Sequence, residues 1–144
     1  MCEELGDVQT LMLRDKGIDV FDDTHAKNKN ESVLMVDLCN IECLIASHNH
    51  IKDLFGISQL SSLLELNLSF NQLTDLHGIE NLTLLQSLYL NRNQLTIISQ
   101  IANLKALKAL HLYHNRVVDP AEVTKIVTGF PKLKELSLEG NPCA

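Results

Sequence analysis

The chain of 144 residues contains no tryptophan, and Phe and Tyr together supply only six residues, 4% of the total. A core without many aromatics has to be aliphatic, so it is assembled from numerous small side chains rather than a few large ones. No apolar run approaches the roughly 20 residues of a membrane span. The opening Met-Cys-Glu-Glu-Leu-Gly-Asp is acidic and lacks the basic flank and apolar stretch of a secretory leader. There is no stripe of Lys and Arg: 12 basic residues stand against 18 acidic ones, for a net charge of −6, which argues against a general binder of phosphate backbones. The four cysteines, Cys2, Cys39, Cys43 and Cys143, form no CxxC pair. Without a leader they read as reduced thiols. Catalytic templates are missing as well: no P-loop, GxGxxG, GxSxG or HExxH occurs. The expectation is a protein that is not an enzyme, carries no cofactor or metal, and neither binds nucleic acid nor inserts into a membrane.

What the sequence has in abundance is leucine at a fixed interval. Asn49, Asn71, Asn93 and Asn115 are each 22 residues apart, and Asn141 follows 26 later. Around them runs the pattern L-x-x-L-x-L-x-x-N-x-L, as in Leu63-Leu66-Leu68-Asn71-Leu73 and Leu85-Leu88-Leu90-Asn93-Leu95. Leu107 to Val117 and Leu133 to Cys143 repeat it, and Ile41-Leu44-Ala46-Asn49-Ile51 is an earlier copy. Leu5, Val8, Leu11, Leu13, Lys16, Ile18 and Phe21 form a first, fainter copy with Lys16 in the asparagine slot. This makes about six units.

Within each unit, x-L-x-L-x alternates with period two and predicts a short strand with one buried face. The L-x-L spacing, repeated every 22 residues, is not the 3.6-residue pattern of an amphipathic helix bundle. One unit is too small to close a core, but stacked units pool their leucines and align their strands in a parallel sheet. Asparagine, which both donates and accepts, suits the buried turn after the strand. Asn49, Asn71, Asn93, Asn115 and Asn141 are therefore expected to form a structural ladder.

The unit from Leu60 to Ile79, of form LxxLxxLxLxxNxLxxLxGI, resembles the 22-residue subclass of leucine-rich-repeat proteins typified by the nuclear regulator of protein phosphatase 1. That subclass also includes an axonemal dynein light chain, tubulin cofactor E and many centrosomal and ciliary proteins. The resemblance spans residues 5 to 144. It implies an α/β fold: a leucine-rich-repeat solenoid, a right-handed β-α superhelix with a curved parallel sheet on its concave face. It also implies a protein-binding role in the cytoplasm, with the cytoskeleton, cilium, centrosome or nucleus as settings. The partner is not implied, because members share architecture and differ in what they bind. A regulator of a phosphatase or other enzyme in trans, and a pathogen effector that captures a host protein, are the alternatives.

Two departures break the period. Residues 22–37 hold an 11-residue excess, polar at first and apolar over Ser32–Val36, which fits a loop followed by a strand or short helix. The last unit has four extra residues. There Asp119, Pro120 and Glu122 predict a helix start with a capping box, and Gly129 a glycine C-cap. The chain stops at Asn141-Pro-Cys-Ala144 with no capping segment in view. The expectation is one domain over residues 1–144, the N-terminal part of a longer protein, or an end covered by a partner or second copy. The oligomeric state is left open.

Function is expected in the x positions. Phe70, Tyr89, Asn91, Arg92, His111, Tyr113 and His114 fall on units three to five, in columns turned to the concave face. Tyr, Phe and Arg on a rigid surface are common interface anchors. The pairs His48–His50 and His111–His114 make no complete metal set, since neither has a carboxylate or thiol to finish a tetrahedron. Glu65, Glu135 and Glu139 read as solubilising or partner-steering charges.

Overall fold

The computed structural model describes residues 9–21 and 40–144. Among these, six three-residue strands form one parallel sheet in sequence order: β1 Thr10–Met12, β2 Cys43–Ile45, β3 Glu65–Asn67, β4 Ser87–Tyr89, β5 Ala109–His111 and β6 Glu135–Ser137. The register aligns Leu11, Leu44, Leu66, Leu88, Leu110 and Leu136 in one row. This is the alignment given by the leucine pattern, including the faint first copy and the choice of Asn49 for the second. Leu5 and Val8 of that first copy, like the 22–37 insertion, lie outside the described residues.

The core is a single aliphatic column. Leu44, Leu66, Leu88 and Leu110 are fully buried, as are Leu76, Ile79 and Leu82 on the return arm. The described return arms are less helical than a β-α unit implies. Two use 3-10 turns, Ile57–Gln59 and Ser99–Asn103, and one α-helix, α1, spans Pro120–Gly129. A 22-residue period leaves too few residues after the strand and its turn for more than a tight 3-10 segment, whereas the four extra residues of the last unit give room for α1.

The ends of α1 differ from expectation. Asp119 caps the helix, its carboxylate accepting from the amide of Ala121 at 2.8 Å. Glu122, however, does not close a capping box. Its Oε2 accepts from the Ile98 amide at 2.8 Å, in the preceding unit. Gly129 is the last helical residue rather than a left-handed cap, and Phe130 ends the helix with φ −113°. The Gly129 carbonyl instead accepts from Lys105 Nζ at 3.0 Å, again from the unit before. Both residues exchange a local cap for a contact that ties neighbouring units.

Each asparagine works as a three-way connector. Asn93 Nδ2 donates to the carbonyls of Leu90 (3.1 Å) and Leu68 (3.0 Å), and its Oδ1 accepts from the Leu73 amide (3.0 Å). Asn71 and Asn115 repeat the scheme with the same offsets. Each carbonyl at the strand end is consequently used twice: Leu68 accepts from Asn71 and Asn93, Leu90 from Asn93 and Asn115. The five side chains are buried and fully satisfied, which is the condition under which a buried amide stabilises a fold.

Candidate functional site

The residue just before each ladder asparagine, and before Lys16 in the same slot of the first unit, has a left-handed backbone. Asp15, His48, Phe70, Arg92 and His114 have φ between 53° and 61°, and Gly140, in the same slot of the last unit, has φ 77°. Their amides extend the sheet by one more rung: Phe70 N donates to Asn91 O at 2.8 Å, Arg92 N to Tyr113 O at 2.7 Å, and His114 N to Glu139 O at 2.8 Å. The left-handed step then turns the chain so that the next residue, asparagine, points inward. A non-glycine residue held this way costs about 1 kcal/mol or more. His48, Phe70, Arg92 and His114 bear that cost while turning an asparagine toward its three partners, Asp15 bears it ahead of Lys16, and Gly140 escapes it.

The same step throws the preceding side chain outward, so the slot becomes an exposed ridge along the strand ends. His48 and Phe70 stack at 4.2 Å, with ring planes 12° apart. The Arg92 guanidinium lies 5.7 Å from the Phe70 ring centre and 5.7 Å from that of Tyr113. Tyr113 packs in turn on His114 at 4.1 Å, tilted by 59°. The imidazole of His114 fills the space where a Cβ on Gly140 would lie. Two columns inward, Tyr89 and His111 stack at 4.9 Å, and His111 Nε2 is 3.6 Å from the exposed Glu135 carboxylate.

Thus Phe70, Tyr89, Arg92, His111, Tyr113 and His114, expected to share a face, form two rows of touching side chains. Asn91 has a different place. It is half-buried, and its Oδ1 accepts from the Tyr113 amide at 2.9 Å, as Asn67 does from the Ser69 amide at 3.0 Å. Ser47 and Ser69, in the same column, are buried rather than displayed. Over units two to four that column bends into the wall as the chain begins its turn, whereas Tyr113, its member in unit five, stays packed on Arg92 and His114.

The remaining described histidines do not converge. His50 lies 3.5 Å from Gln72, and His77 contacts Glu80 at 3.2 Å. Among the described residues no group of three His, Cys, Asp or Glu side chains could hold a metal ion. Burial and the neighbouring Glu65 push the Cys43 thiol above its ordinary value, although a hydrogen bond with Thr10 opposes them. Cys43 is therefore a poor nucleophile. No helix among the described residues is long and apolar enough to cross a membrane.

The left-handed ridge has only a partial signature in the sequence. Gly140, directly before Asn141, hints at it, and Asp15, His48 and His114 are of types enriched in that backbone, but Phe70 and Arg92 give no sign of it.

Comparison with known proteins agrees with this geometry. Residues 39–83 match a family model of leucine-rich repeats in two copies, and residues 84–104 match a single-repeat model. These units are leucine-rich repeats. The solved structure of a leucine-rich-repeat protein of Leptospira interrogans is 25% identical, with a TM-score of 0.72 over 97% of this chain and 39% of that one. An internalin, InlF, from Listeria monocytogenes is 28% identical, TM-score 0.64, over 72% of this chain and 30% of that one. Internalin C2 of the same species is 27% identical, TM-score 0.62, over 74% and 44%. This chain spans less than half the length of each. No curated protein matches it.

Proposed function

We propose that this protein is an interaction scaffold that binds a partner protein on the open, concave face of its sheet, over units three to five. Leucine-rich-repeat proteins generally mediate protein–protein interaction. The observation that carries the reading here is the pair of touching rows on β3 to β5 and their turns. A surface built from Phe, Tyr, Arg and His, held on a rigid backbone, has little side-chain entropy left to lose on binding. An open sheet without a cleft suits a large partner better than a small substrate.

The finer setting belongs to this proposal. The 22-residue period and the Leu-x-Gly-Ile ending of the unit from Leu60 to Ile79 support an intracellular scaffold of the phosphatase-regulator subclass, in a cytoskeletal, ciliary, centrosomal or regulatory complex. A second reading, a secreted effector that captures a host protein, draws on one observation: the similar Leptospira and Listeria structures are bacterial. Locating the tagged native protein separates them, since the first requires retention in the cell and the second release.

The face itself is tested by a Tyr89→Ala, His111→Ala, Tyr113→Ala variant beside a Lys105→Ala control on the return-arm side. Partner recovery is expected to fall at least tenfold for the triple variant and stay unchanged for the control. Equal recovery with a folded triple variant would remove the concave face from the proposal.

A further inference from the structure

The ridge places one arginine in an unusual position. Arg92 is exposed, its guanidinium lies 5.7 Å from two aromatic ring centres, and no side-chain hydrogen bond among the described residues uses its donors. Among the described residues no carboxylate lies within ion-pair distance of it. Guanidinium flanked by rings keeps its edge free, and that edge presents paired N–H groups with the spacing of a carboxylate. The rings also restrict the side chain in advance, so less freedom is lost when a ligand binds.

Its surroundings point the same way. His114 occupies the next ridge slot, His48 lies two slots back beyond Phe70, and His111 is on the adjacent strand, where its Nε2 lies 3.6 Å from the Glu135 carboxylate. The cluster sits on a chain of net charge −6. Arg92 is a cation on a chain of negative balance, so an anion that reaches this face is drawn to its guanidinium edge. Phe70, 42% exposed, adds an apolar surface beside the guanidinium.

We propose that Arg92 is the anchor of a recognition site for an acidic segment of the partner protein. An Asp or Glu carboxylate accepts two hydrogen bonds from its guanidinium edge, and an adjoining apolar side chain of the segment rests on Phe70. This rests on the concave-face reading and names the chemistry of the partner it takes.

The probe is a labelled ten-residue peptide of alternating Glu and Leu, read by fluorescence anisotropy against the whole protein. Its Gln-Leu and phosphoserine-Leu counterparts are run beside it. The Glu peptide is expected to bind at least tenfold more tightly than the Gln peptide, and the contrast to shrink as salt rises. Arg92→Asn, which tolerates the left-handed backbone, and Arg92→Lys, which keeps the charge but not the fork, are both expected to lose that preference. Circular dichroism confirms that each is folded.

Arg92→Lys binding like the parent would overturn the paired hydrogen bonds, and equal binding of Glu and Gln peptides would overturn the site. Binding of only the phosphoserine peptide would overturn the carboxylate as its ligand. If the acidic peptide fails while the triple alanine variant still loses its partner, the scaffold reading holds and this inference falls.

Discussion

Two columns of side chains run the length of this molecule one residue apart, and they obey opposite rules. The inner column is Asn in five successive units, buried and bonded to three backbone groups at a time. The outer column, immediately before it, is Asp, His, Phe, Arg, His and Gly, with little in common except a left-handed backbone. The inner one is fixed because only an amide can satisfy a carbonyl, a second carbonyl and an N–H from one side chain. The outer one is free because its role in the fold is discharged by its backbone amide. Architecture and recognition are thus separated by a single peptide bond, and surface chemistry can vary while the frame does not.

The deepest part of the frame offers the largest effect. Leu88→Ala, in a fully buried slot, is expected to cost about 3–5 kcal/mol, read by chemical denaturation, through lost burial and a residual cavity. Leu136 fills the same register position in the last unit but is only partly buried against the core. Its alanine variant should cost about half as much. Equal losses would mean that the last strand is as well covered as the fourth.

Next comes the inner column. Asn93→Ala strips partners from Leu68 O, Leu90 O and Leu73 N. Both carbonyls keep another asparagine, so the expected loss is about 2–3 kcal/mol rather than three full desolvation penalties. A variant at the outer column should be milder. Gly140→Ala puts a Cβ on a positive φ and into the His114 imidazole, which can swing aside. About 1 kcal/mol is expected, with a shifted His114 ring resonance in NMR spectra as its signature. A Gly140→Ala loss exceeding that of Asn93→Ala would reverse the contrast between the columns.

The smallest effect lies on the return arm. Burial tends to raise the Glu80 carboxyl, but hydrogen bonds from its own amide and the Gly78 amide, with His77 beside it, outweigh this and hold it below its usual range. A lowered folded value means that the stabilisation is complete above the unfolded pKa and lost as pH falls through the folded one. Glu80→Gln should therefore differ most from the parent near neutral pH and converge with it in acid. A gap that persists in strong acid would show that the carboxylate charge is not the cause.

Much of the frame is legible in the chain because it is periodic. Leu11 announces its strand even with Lys16 in the asparagine slot, since the other apolar slots are filled. The residues that gather on units three to five are also visible, because a strand register assigns columns by counting. Their actual contacts are not. That Arg92 lies between Phe70 and Tyr113, two units apart in sequence, follows from the left-handed turn, and Phe70 and Arg92 themselves conceal that turn. Glu122 and Gly129 mislead for a related reason. Helix-cap motifs describe an isolated helix, and here the neighbouring unit competes for the same groups.

The asparagine offsets carry one more consequence. Interior rungs reach back 25 residues to the preceding strand end, Asn141 reaches back 29 and Asn49 reaches back 36, yet the bonds remain between 2.7 and 3.0 Å. Four or eleven added residues leave no trace on the recognition side. The return arms are thus the elastic coordinate of this protein: they can lengthen, acquire a helix or take up an insertion while the ridge keeps its spacing. Evolution can edit one flank of such a molecule without re-tuning the other.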